Sequence, residues 1–343
     1  MAGVEAEAWR PAPLVAAMRA ATPALVHAPH GVLAMIADYC RPTTHRFWQF
    51  DGTRDTQINC ESHGAAQIDA HASAVAPMLR SRFWGCAARH CGHLYVIGGT
   101  HPEPAIDRYD PEADVWMAMP RCQPRTRASA VTCRDRIYVI GGSYDHTQMA
   151  RCQVLDPARN TWARMPEMDI RRRDHAASVH DDCIHVTGGI TGTQHATPSY
   201  ERFDVVAAKW SVRPHMVRAR YAHCSVVWAG MLYVIGGCAY VDTSGSGAYQ
   251  QIERRSASAR GEGKDVGTGW ETVPWSLPEP RMHAFAYVTP GQDLLVVCGG
   301  VPPHYRAAES RDCFQIARAD AAWSVHRNAL PAAYRHAAAH VAA

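Results

Sequence analysis

The chain has 343 residues, of which 47% are hydrophobic and 20% are charged, and its formal net charge is +3. This length and composition allow one large domain, and the small net charge excludes nucleic-acid binding by bulk attraction. The first residues contain two glutamates and no basic cluster, and no later stretch is apolar enough to span a bilayer. We therefore predict a protein without nucleic-acid or membrane partners, located in the cytoplasm, with the nucleus as the alternative.

The N-terminal part of the chain divides into an extension and a first β-rich segment. Residues 1–30 form a poorly defined extension. Alternating apolar residues predict a second strand at 30–38 and a third at 46–51, and the polar stretch 67–78 predicts an irregular fourth strand. The segment 31–78 is thus predicted to be a sheet that lacks its first strand.

An internal repeat follows, and its hallmark is an apolar strand that ends in two glycines. Five copies exclude coincidence. Paired glycines let the backbone approach a neighbouring element closely, because they carry no Cβ. The copies lie at residues 94–99, 137–142, 184–189, 232–237 and 295–300.

Three further landmarks accompany each copy or most copies. An arginine opens a segment of small residues before the di-glycine strand, and an aspartate that favours a turn ends the third segment in three units. A tryptophan then offers a large apolar surface to the space between units. The tryptophans are Trp116, Trp162, Trp210, either Trp270 or Trp275, and Trp323.

Four β-rich segments per unit, at a period of roughly 45 residues, predict a four-stranded antiparallel meander for each unit. The landmarks, in this order from Arg82 to Trp323, resemble the kelch repeat. This resemblance implies an all-β fold, a kelch-type β-propeller with six four-stranded blades, or seven as the alternative. Besides the N-terminal sheet, the predicted blades are 82–120, 125–168, 172–214, 220–278 and 281–328.

The two ends of the chain complement each other. Residues 334–343 have the pattern of a first strand with no second strand after it, whereas 31–78 lacks a first strand. As in many kelch propellers, the C-terminal strand is predicted to complete this blade, so that 31–343 form one closed ring. Residues 9–13 are a further candidate for a fourth strand, and seven blades remain the alternative.

Two composition features stand apart from the repeat. Residues 240–269 are rich in glycine and serine and are predicted to form a mobile surface loop. The twelve cysteines are scattered and are predicted to be reduced, mostly as small core residues. The densest group, at 86–93, holds two cysteines and two histidines, but strand alternation separates such side chains, so no metal and no cofactor are predicted.

The meander brings the start of every first strand and the loops between second and third strands to one face. The opening arginines are therefore predicted to form a ring at the mouth of the central channel, with tyrosines and histidines of the loops beside them. No catalytic residue is predicted. The predicted partner-binding residues are Arg82, Arg125, Arg172, Arg220, Arg281, Arg335, Tyr144, His146, Tyr240 and Tyr305.

Such a mouth predicts recognition of an acidic peptide or loop of another protein, because guanidinium groups hold carboxylates bidentately. Resemblance to kelch-like ligase receptors, in which arginines at this position grip acidic loops, implies a substrate receptor of a ubiquitin ligase assembly. Residues 1–30 resemble no BTB or F-box adaptor domain.

Two alternatives remain open. The arginines brace neighbouring blades instead, with Asp107, Asp174 and Asp312 as partners. Alternatively, the chain is a propeller enzyme, of the copper-radical oxidase or sugar isomerase type, that acts on a small polar molecule. Tyr144 and Tyr305 with nearby histidines are candidates for such a site by residue type only.

Overall fold

The computed structural model describes residues 38–41, 44–49, 56–62, 68–74, 76, 78–79, 84–99, 106–192, 195–239, 247–258, 269–288, 294–300, 310, 312–317 and 322–327. Its strands form six four-stranded sheets, each an antiparallel meander, and one two-stranded hairpin. The fold class is therefore the predicted one, an all-β propeller. Within these residues no helix is long and apolar enough to cross a membrane.

The six sheets are numbered as blades in chain order. Blade 1 has the strands Asp38–Arg41, Thr44–Gln49, Thr56–Ser62 and Ile68–Ala74. Blade 2 has Cys86–His90, His93–Ile97, Ile106–Asp110 and Val115–Met119. Blade 3 has Ser129–Cys133, Arg136–Ile140, Cys152–Asp156 and Thr161–Arg164, and its hairpin pairs Ser143–Tyr144 with Thr147–Gln148.

The remaining blades repeat this plan. Blade 4 has Ala176–His180, Cys183–Thr187, Tyr200–Asp204 and Lys209–Arg213. Blade 5 has Cys224–Trp228, Met231–Ile235, Ile252–Ser256 and Glu271–Thr272. Blade 6 has Phe285–Val288, Leu294–Cys298, Cys313–Ala317 and Ser324–His326.

The core lies between blades rather than in one central layer. The first strands of blades 2 to 6 contact one another in chain order, which places them around a common axis. Small residues suit this crowded position, as in blade 2, where Ala87 and Ala88 are buried. Apolar clusters join neighbouring blades, for example Ile235 of blade 5 with Leu295 and Phe314 of blade 6. Burial between blades is thus the main force that holds blades 2 to 6 together.

The repeated tryptophans of blades 2 to 5 link each of these blades to the preceding one. Their indole N–H groups donate to a backbone carbonyl that lies one or two residues after the last strand of the preceding blade. The bonds run from Trp162 to Pro120 at 3.2 Å, from Trp210 to Pro166 at 2.9 Å and from Trp270 to Pro214 at 3.0 Å. Trp270 is therefore the repeat residue, whereas Trp275 stacks on Tyr233. Trp116 makes the same bond to Ala76, at 2.8 Å, so the segment after blade 1 occupies the corresponding position.

The weakest sequence patterns gave the least accurate strand assignments. The segment predicted as a third strand at 46–51 is the second strand of blade 1, and the polar strand Thr56–Ser62 was not predicted. The predicted loop 240–269 contains the third strand of blade 5, Ile252–Ser256. Blade 1 has four strands of its own within residues 38–74, so the expectation that this segment lacks a first strand is corrected. Residues 1–30 and 334–343 lie outside the described residues, so the pairing of the C-terminal segment with this blade stays a prediction.

One pair of cysteines departs from the prediction of reduced thiols. Cys298 and Cys313 lie directly opposite each other on the second and third strands of blade 6, and they form a disulfide with their Cα atoms 4.1 Å apart. Eight other cysteines of the described residues are free, and all of these except Cys91 are buried.

Candidate functional site

Four of the predicted ring arginines lie inside the blades. Arg125, Arg172, Arg220 and Arg281 are at most 2% exposed. In blades 3 to 5 the Nη1 atom donates to the carbonyl of the first glycine of the same blade: Gly141 at 3.1 Å, Gly188 at 2.7 Å and Gly236 at 2.7 Å. The guanidinium group thus closes the end of the second strand from within the blade.

The same guanidinium groups reach the third strand. The Nη2 atom of Arg172 donates to Glu201 at 2.6 Å, and that of Arg220 donates to Glu253, with all four side chains fully buried. Each carboxylate also accepts backbone N–H groups, for example from Asp169 to Glu201 at 2.8 Å. Because arginine stays protonated even though burial lowers the pKa of these groups, each pair keeps its charges matched inside the fold.

In blades 3 and 6 the guanidinium group of the arginine has a different acceptor. Arg125 donates instead to the neutral Oε1 of Gln153, at 2.9 Å. Arg281 donates to Glu279 at 2.8 Å and to the Ser310 hydroxyl at 2.9 Å. An acceptor for the guanidinium is therefore present in all four blades, although its charge differs.

The backbone of each arginine connects two blades. Its carbonyl accepts the N–H of the second glycine of the preceding blade, as from Gly99 to Arg125 at 2.9 Å and from Gly189 to Arg220 at 2.8 Å. A Cβ placed on Gly98, whose φ is +68°, would lie 2.4 Å from the Arg125 carbonyl oxygen. Only glycine fits there, which explains the paired glycines of the repeat.

The prediction of a partner-binding ring is therefore corrected for Arg125, Arg172, Arg220 and Arg281. Their guanidinium groups brace their own blades from within, for example Arg172 with Gly188 and Glu201. The alternative interpretation, in which the arginines brace neighbouring blades through aspartates and carbonyls, is thus right about an internal role but not about neighbouring blades or aspartates as the main partners of the guanidinium groups. The main carboxylate partners in blades 4 and 5 are glutamates, and Asp312 lies 3.8 Å from Arg281. One sequence feature indicates an internal partner for these arginines. The second residue of the third strand in blades 2 to 5 is always a hydrogen-bond acceptor: Asp107, Gln153, Glu201 and Glu253. Arg82, Arg335, Tyr240 and Tyr305 lie outside the described residues.

A second series of residues, which was not predicted from the sequence, connects the blades through backbone hydrogen bonds just before their first strands. We call it the inner ring; each member follows an opening arginine by two positions, and the members are Trp84, Arg127, Asp174, Ala222 and His283. All five have φ between 53° and 56°, a left-handed conformation that costs energy in residues other than glycine. The backbone N–H of every member after Trp84 donates to the carbonyl of the preceding member, at 2.7 to 3.0 Å, which offsets that cost. The constant spacing of two residues after the opening arginines is the sequence signal that could have identified this ring.

Aromatic and charged side chains of the inner ring contact one another. The Arg127 guanidinium lies 4.0 Å from the centre of the Trp84 ring, and 38% of Trp84 is exposed. Arg127 also donates to the buried Asp174 carboxylate at 3.0 Å, and Arg173 donates to the same oxygen at 2.8 Å. Two guanidinium groups thus share one carboxylate and leave a local excess of positive charge.

The blade 3 hairpin stands beside the inner ring. Ser143 pairs with Thr126, the residue directly before Arg127. The tip residues Asp145 and His146 have φ of 46° and 60°, as in a two-residue turn with both central residues left-handed. Tyr144 is 57% exposed, and His146 is exposed as well. The two predicted loop residues that the structure describes are therefore available at the surface.

The inner ring and the hairpin together form the channel-mouth site, which combines exposed aromatic rings with guanidinium groups. Aromatic and arginine side chains bury large areas at a small entropic cost, and guanidinium groups bind carboxylates. Among the described residues, the one group of three side chains with His, Cys or carboxylate atoms close enough to hold a metal ion lies elsewhere, at the turns between first and second strands. The channel mouth is thus chemically suited to recognition of a polypeptide.

Comparison with solved structures supports the architecture. The structure titled "Structure of YjhT" aligns with a TM-score of 0.68 at 13% identity and covers 87% of this chain and 98% of that chain. At this identity the likeness concerns the fold alone.

The sequence comparisons agree with the repeat. Kelch-like protein 25 of Xenopus tropicalis is 28% identical over 185 residues, 50% of this chain and 31% of that protein. Kelch repeat and BTB domain-containing protein 8 of Danio rerio is 31% identical over 143 residues, 39% of this chain and 22% of that protein. The chain thus spans less than a third of the length of these relatives. The sequence model of the KLHDC2/KLHL20/DRC7 Kelch-repeats domain matches residues 55–237, more than half of the chain, and the chain therefore belongs to the kelch-repeat family.

Proposed function

We propose that this propeller binds another protein through the channel-mouth site. One observation carries the proposal: Trp84 and Tyr144 expose large aromatic surfaces at the rim, while the repeated arginines are used inside the blades. Exposed tryptophan, tyrosine and arginine dominate the energetics of protein interfaces. The left-handed backbone of the inner ring holds Trp84 and Arg127 in place before a partner arrives, which lowers the entropic cost of binding.

We further propose that the recognised segment is acidic. Arg127 and Arg173 share Asp174, so the inner ring keeps a positive excess. The loops that lead into the first strands of blades 3 to 5 add exposed arginines to the same face: Arg121, Arg171 and Arg218. A peptide carboxylate would meet several guanidinium groups there and would gain charge-assisted hydrogen bonds.

The names of the relatives support a protein partner and a place in a larger assembly. One relative carries kelch repeats together with a BTB domain, as its name states. We propose on this ground that the propeller acts as the substrate receptor of a ubiquitin ligase assembly. This part of the proposal concerns the whole protein, whereas the acidic segment concerns the channel-mouth site.

The site is tested first with synthetic peptides. The probes are fluorescent peptides of equal length that contain aspartate and glutamate clusters, with matched peptides in which asparagine and glutamine replace the acids. We expect the acidic set to bind and to weaken as salt rises, because screening reduces the attraction between charges. The double variant Trp84→Ala/Arg127→Ala should lower the affinity by at least tenfold in fluorescence anisotropy.

A matched control is the double variant Arg159→Ala/Arg164→Ala, which removes two exposed arginines from the outer part of blade 3. It should bind as the unchanged protein does. Equal loss in both double variants would indicate unspecific attraction to basic surface, and equal binding of acidic and neutral peptides would overturn the acidic segment.

The assembly is tested with the native protein. Affinity capture from cells after chemical crosslinking, followed by mass spectrometry, should recover a ligase scaffold together with the chain. Recovery of that scaffold should persist in Trp84→Ala/Arg127→Ala, whereas recovery of substrates should fall. Capture of cytoskeletal proteins without a scaffold would contradict the ligase role while leaving the channel-mouth site in place.

A further inference from the structure

A group of metal-binding side chains lies on the face opposite the channel mouth. His90 ends the first strand of blade 2, and Cys91 begins the turn to the second strand. Asp135 lies in the corresponding turn of blade 3. One ligand atom of each residue lies within 4.8 Å of the other two, and the Cys91 Sγ and His90 Nε2 atoms are 3.3 Å apart.

The fold itself brings these three side chains together. Cys91 and Asp135 have φ of 45° and 59°, because each stands in a tight two-residue turn of its blade. The first strands of the two blades are neighbours, and the Thr132 hydroxyl donates to the Arg89 carbonyl at 2.5 Å just before the turns. His93, next to the turn, contacts the Cys91 carbonyl through Nδ1 at 2.9 Å. The turn that carries Cys91 is thus held from both sides.

The distance between the two ligand atoms of blade 2 suits a tetrahedral ion. Zinc bonds of about 2.3 Å to sulfur and about 2.0 Å to nitrogen, at a tetrahedral angle, separate the two ligand atoms by roughly 3.5 Å. The observed 3.3 Å between Sγ and Nε2 is close to this value. Thiolate, imidazole and carboxylate are also the three ligand types of zinc sites in proteins.

We propose that His90, Cys91 and Asp135 bind a zinc ion that bridges blades 2 and 3, with a water molecule as the fourth ligand. Binding releases the Cys91 thiol proton to solvent, because the thiolate is the ligand. The prediction that residues 86–93 hold no metal considered one strand pair alone, and it did not include a carboxylate from the next blade. Cys86, in the same segment, points into the core and takes no part.

The group is open to solvent, which lets an ion enter without unfolding. Cys91 and Asp135 are exposed and His90 is partly exposed. Among the free cysteines described in blades 2 to 6 Cys91 alone is exposed, so thiol alkylation mapped to this residue reports on the site. The site is independent of the proposed protein binding, because the turns lie at the other end of the first strands.

Cobalt titration tests the proposal on the full chain, handled without oxygen and freed of reductant, so that no added thiol or phosphine competes for the metal and the Cys298–Cys313 disulfide stays intact. We expect visible absorption bands of tetrahedral cobalt and a thiolate charge-transfer band, both removed by stoichiometric zinc. Cys91→Ser should abolish the charge-transfer band, and Asp135→Asn should weaken zinc binding at least tenfold. Asp181→Asn, in the corresponding turn of blade 4, is the matched control and should change neither.

Protection of the thiol gives a second, independent readout. Zinc should slow alkylation of Cys91, mapped by mass spectrometry, in the unchanged chain and in Asp181→Asn but not in Asp135→Asn. Absence of the charge-transfer band at saturating cobalt, or its persistence in Cys91→Ser, would overturn the proposal. Unchanged zinc affinity in Asp135→Asn would also overturn it, because the bridge between blades depends on that carboxylate.

Discussion

Two rings of residues surround the channel, only two positions apart in the sequence, and they have opposite environments. The opening arginines, such as Arg172, are buried and bonded within the fold. The inner ring, with Trp84 and Arg127, presents side chains at the mouth. The difference teaches that charge repeated in phase marks a structural position here. At the varying position two residues later, Trp84 is exposed and Arg127 is partly exposed, whereas Asp174 and Ala222 are buried.

A second comparison divides the interior. Blades 4 and 5 neutralise the buried arginine with Glu201 and Glu253, whereas blade 3 offers the amide oxygen of Gln153. The geometry is the same in all three blades. The repeat therefore requires an acceptor at this position, and charge neutralisation is an addition to it.

The largest expected effect comes from breaking a buried pair. Arg172→Ala leaves the Glu201 carboxylate uncompensated in the interior, and we expect the free energy of unfolding to fall by about 3–5 kcal/mol. Arg171→Ala, at the exposed neighbouring position, should change it by less than about 0.5 kcal/mol. Urea denaturation followed by tryptophan fluorescence measures both.

The double variant Arg172→Met/Glu201→Leu distinguishes the cost of an unpaired buried charge from the cost of losing the hydrogen bonds of the guanidinium group. It removes both charges and should lose less stability than Arg172→Ala does. A similar loss in Arg171→Ala and Arg172→Ala would contradict the division between internal and exposed arginines.

A buried histidine makes the stability of the interior depend on pH. Burial lowers the pKa of His185 to about 3, and its Nδ1 lies 2.6 Å from the Tyr200 hydroxyl. Below the unfolded pKa of about 6.5 only the unfolded chain takes up this proton, so stability falls from there down to the folded pKa. Between pH 7 and pH 5 this costs about 2 kcal/mol.

His185→Gln should remove this part of the pH dependence. Urea midpoints of both proteins at pH 7 and pH 5 provide the measurement. The same loss of stability in the variant would show that other groups control the acid response.

Gln153→Glu tests the comparison within the interior. It gives Arg125 the carboxylate that its counterparts in blades 4 and 5 already have, and we expect a gain of about 1 kcal/mol in unfolding free energy. The reverse change, Glu201→Gln, should lower stability by a similar or larger amount. A loss in Gln153→Glu would mean that the surroundings of blade 3 are adapted to a neutral acceptor.

The smallest effect on stability is expected at the rim. Tyr144→Ala removes an exposed ring and should change the free energy of unfolding by less than about 0.5 kcal/mol. The same variant should weaken binding of acidic peptides severalfold in fluorescence anisotropy. A large loss of stability would instead assign Tyr144 to the fold.

The sequence by itself determined the architecture. The di-glycine strands, arginines and tryptophans recur because each blade repeats the same close contacts with its neighbours, and a repeat of four strands has few ways to pack. Where the pattern was weak, prediction failed. Ile252–Ser256 was hidden because its buried Glu253 and Arg255 interrupt the apolar alternation that marks a strand.

Only the tertiary structure decided which side chains reach the surface. The arginines turn inward because carbonyls and a carboxylate or amide from separate strands converge on one guanidinium, and no linear pattern contains that convergence. Trp84 and Arg127 become neighbours across two blades, and so do Cys91 and Asp135. Contacts between units depend on how the ring closes around its axis, which the repeat alone does not specify.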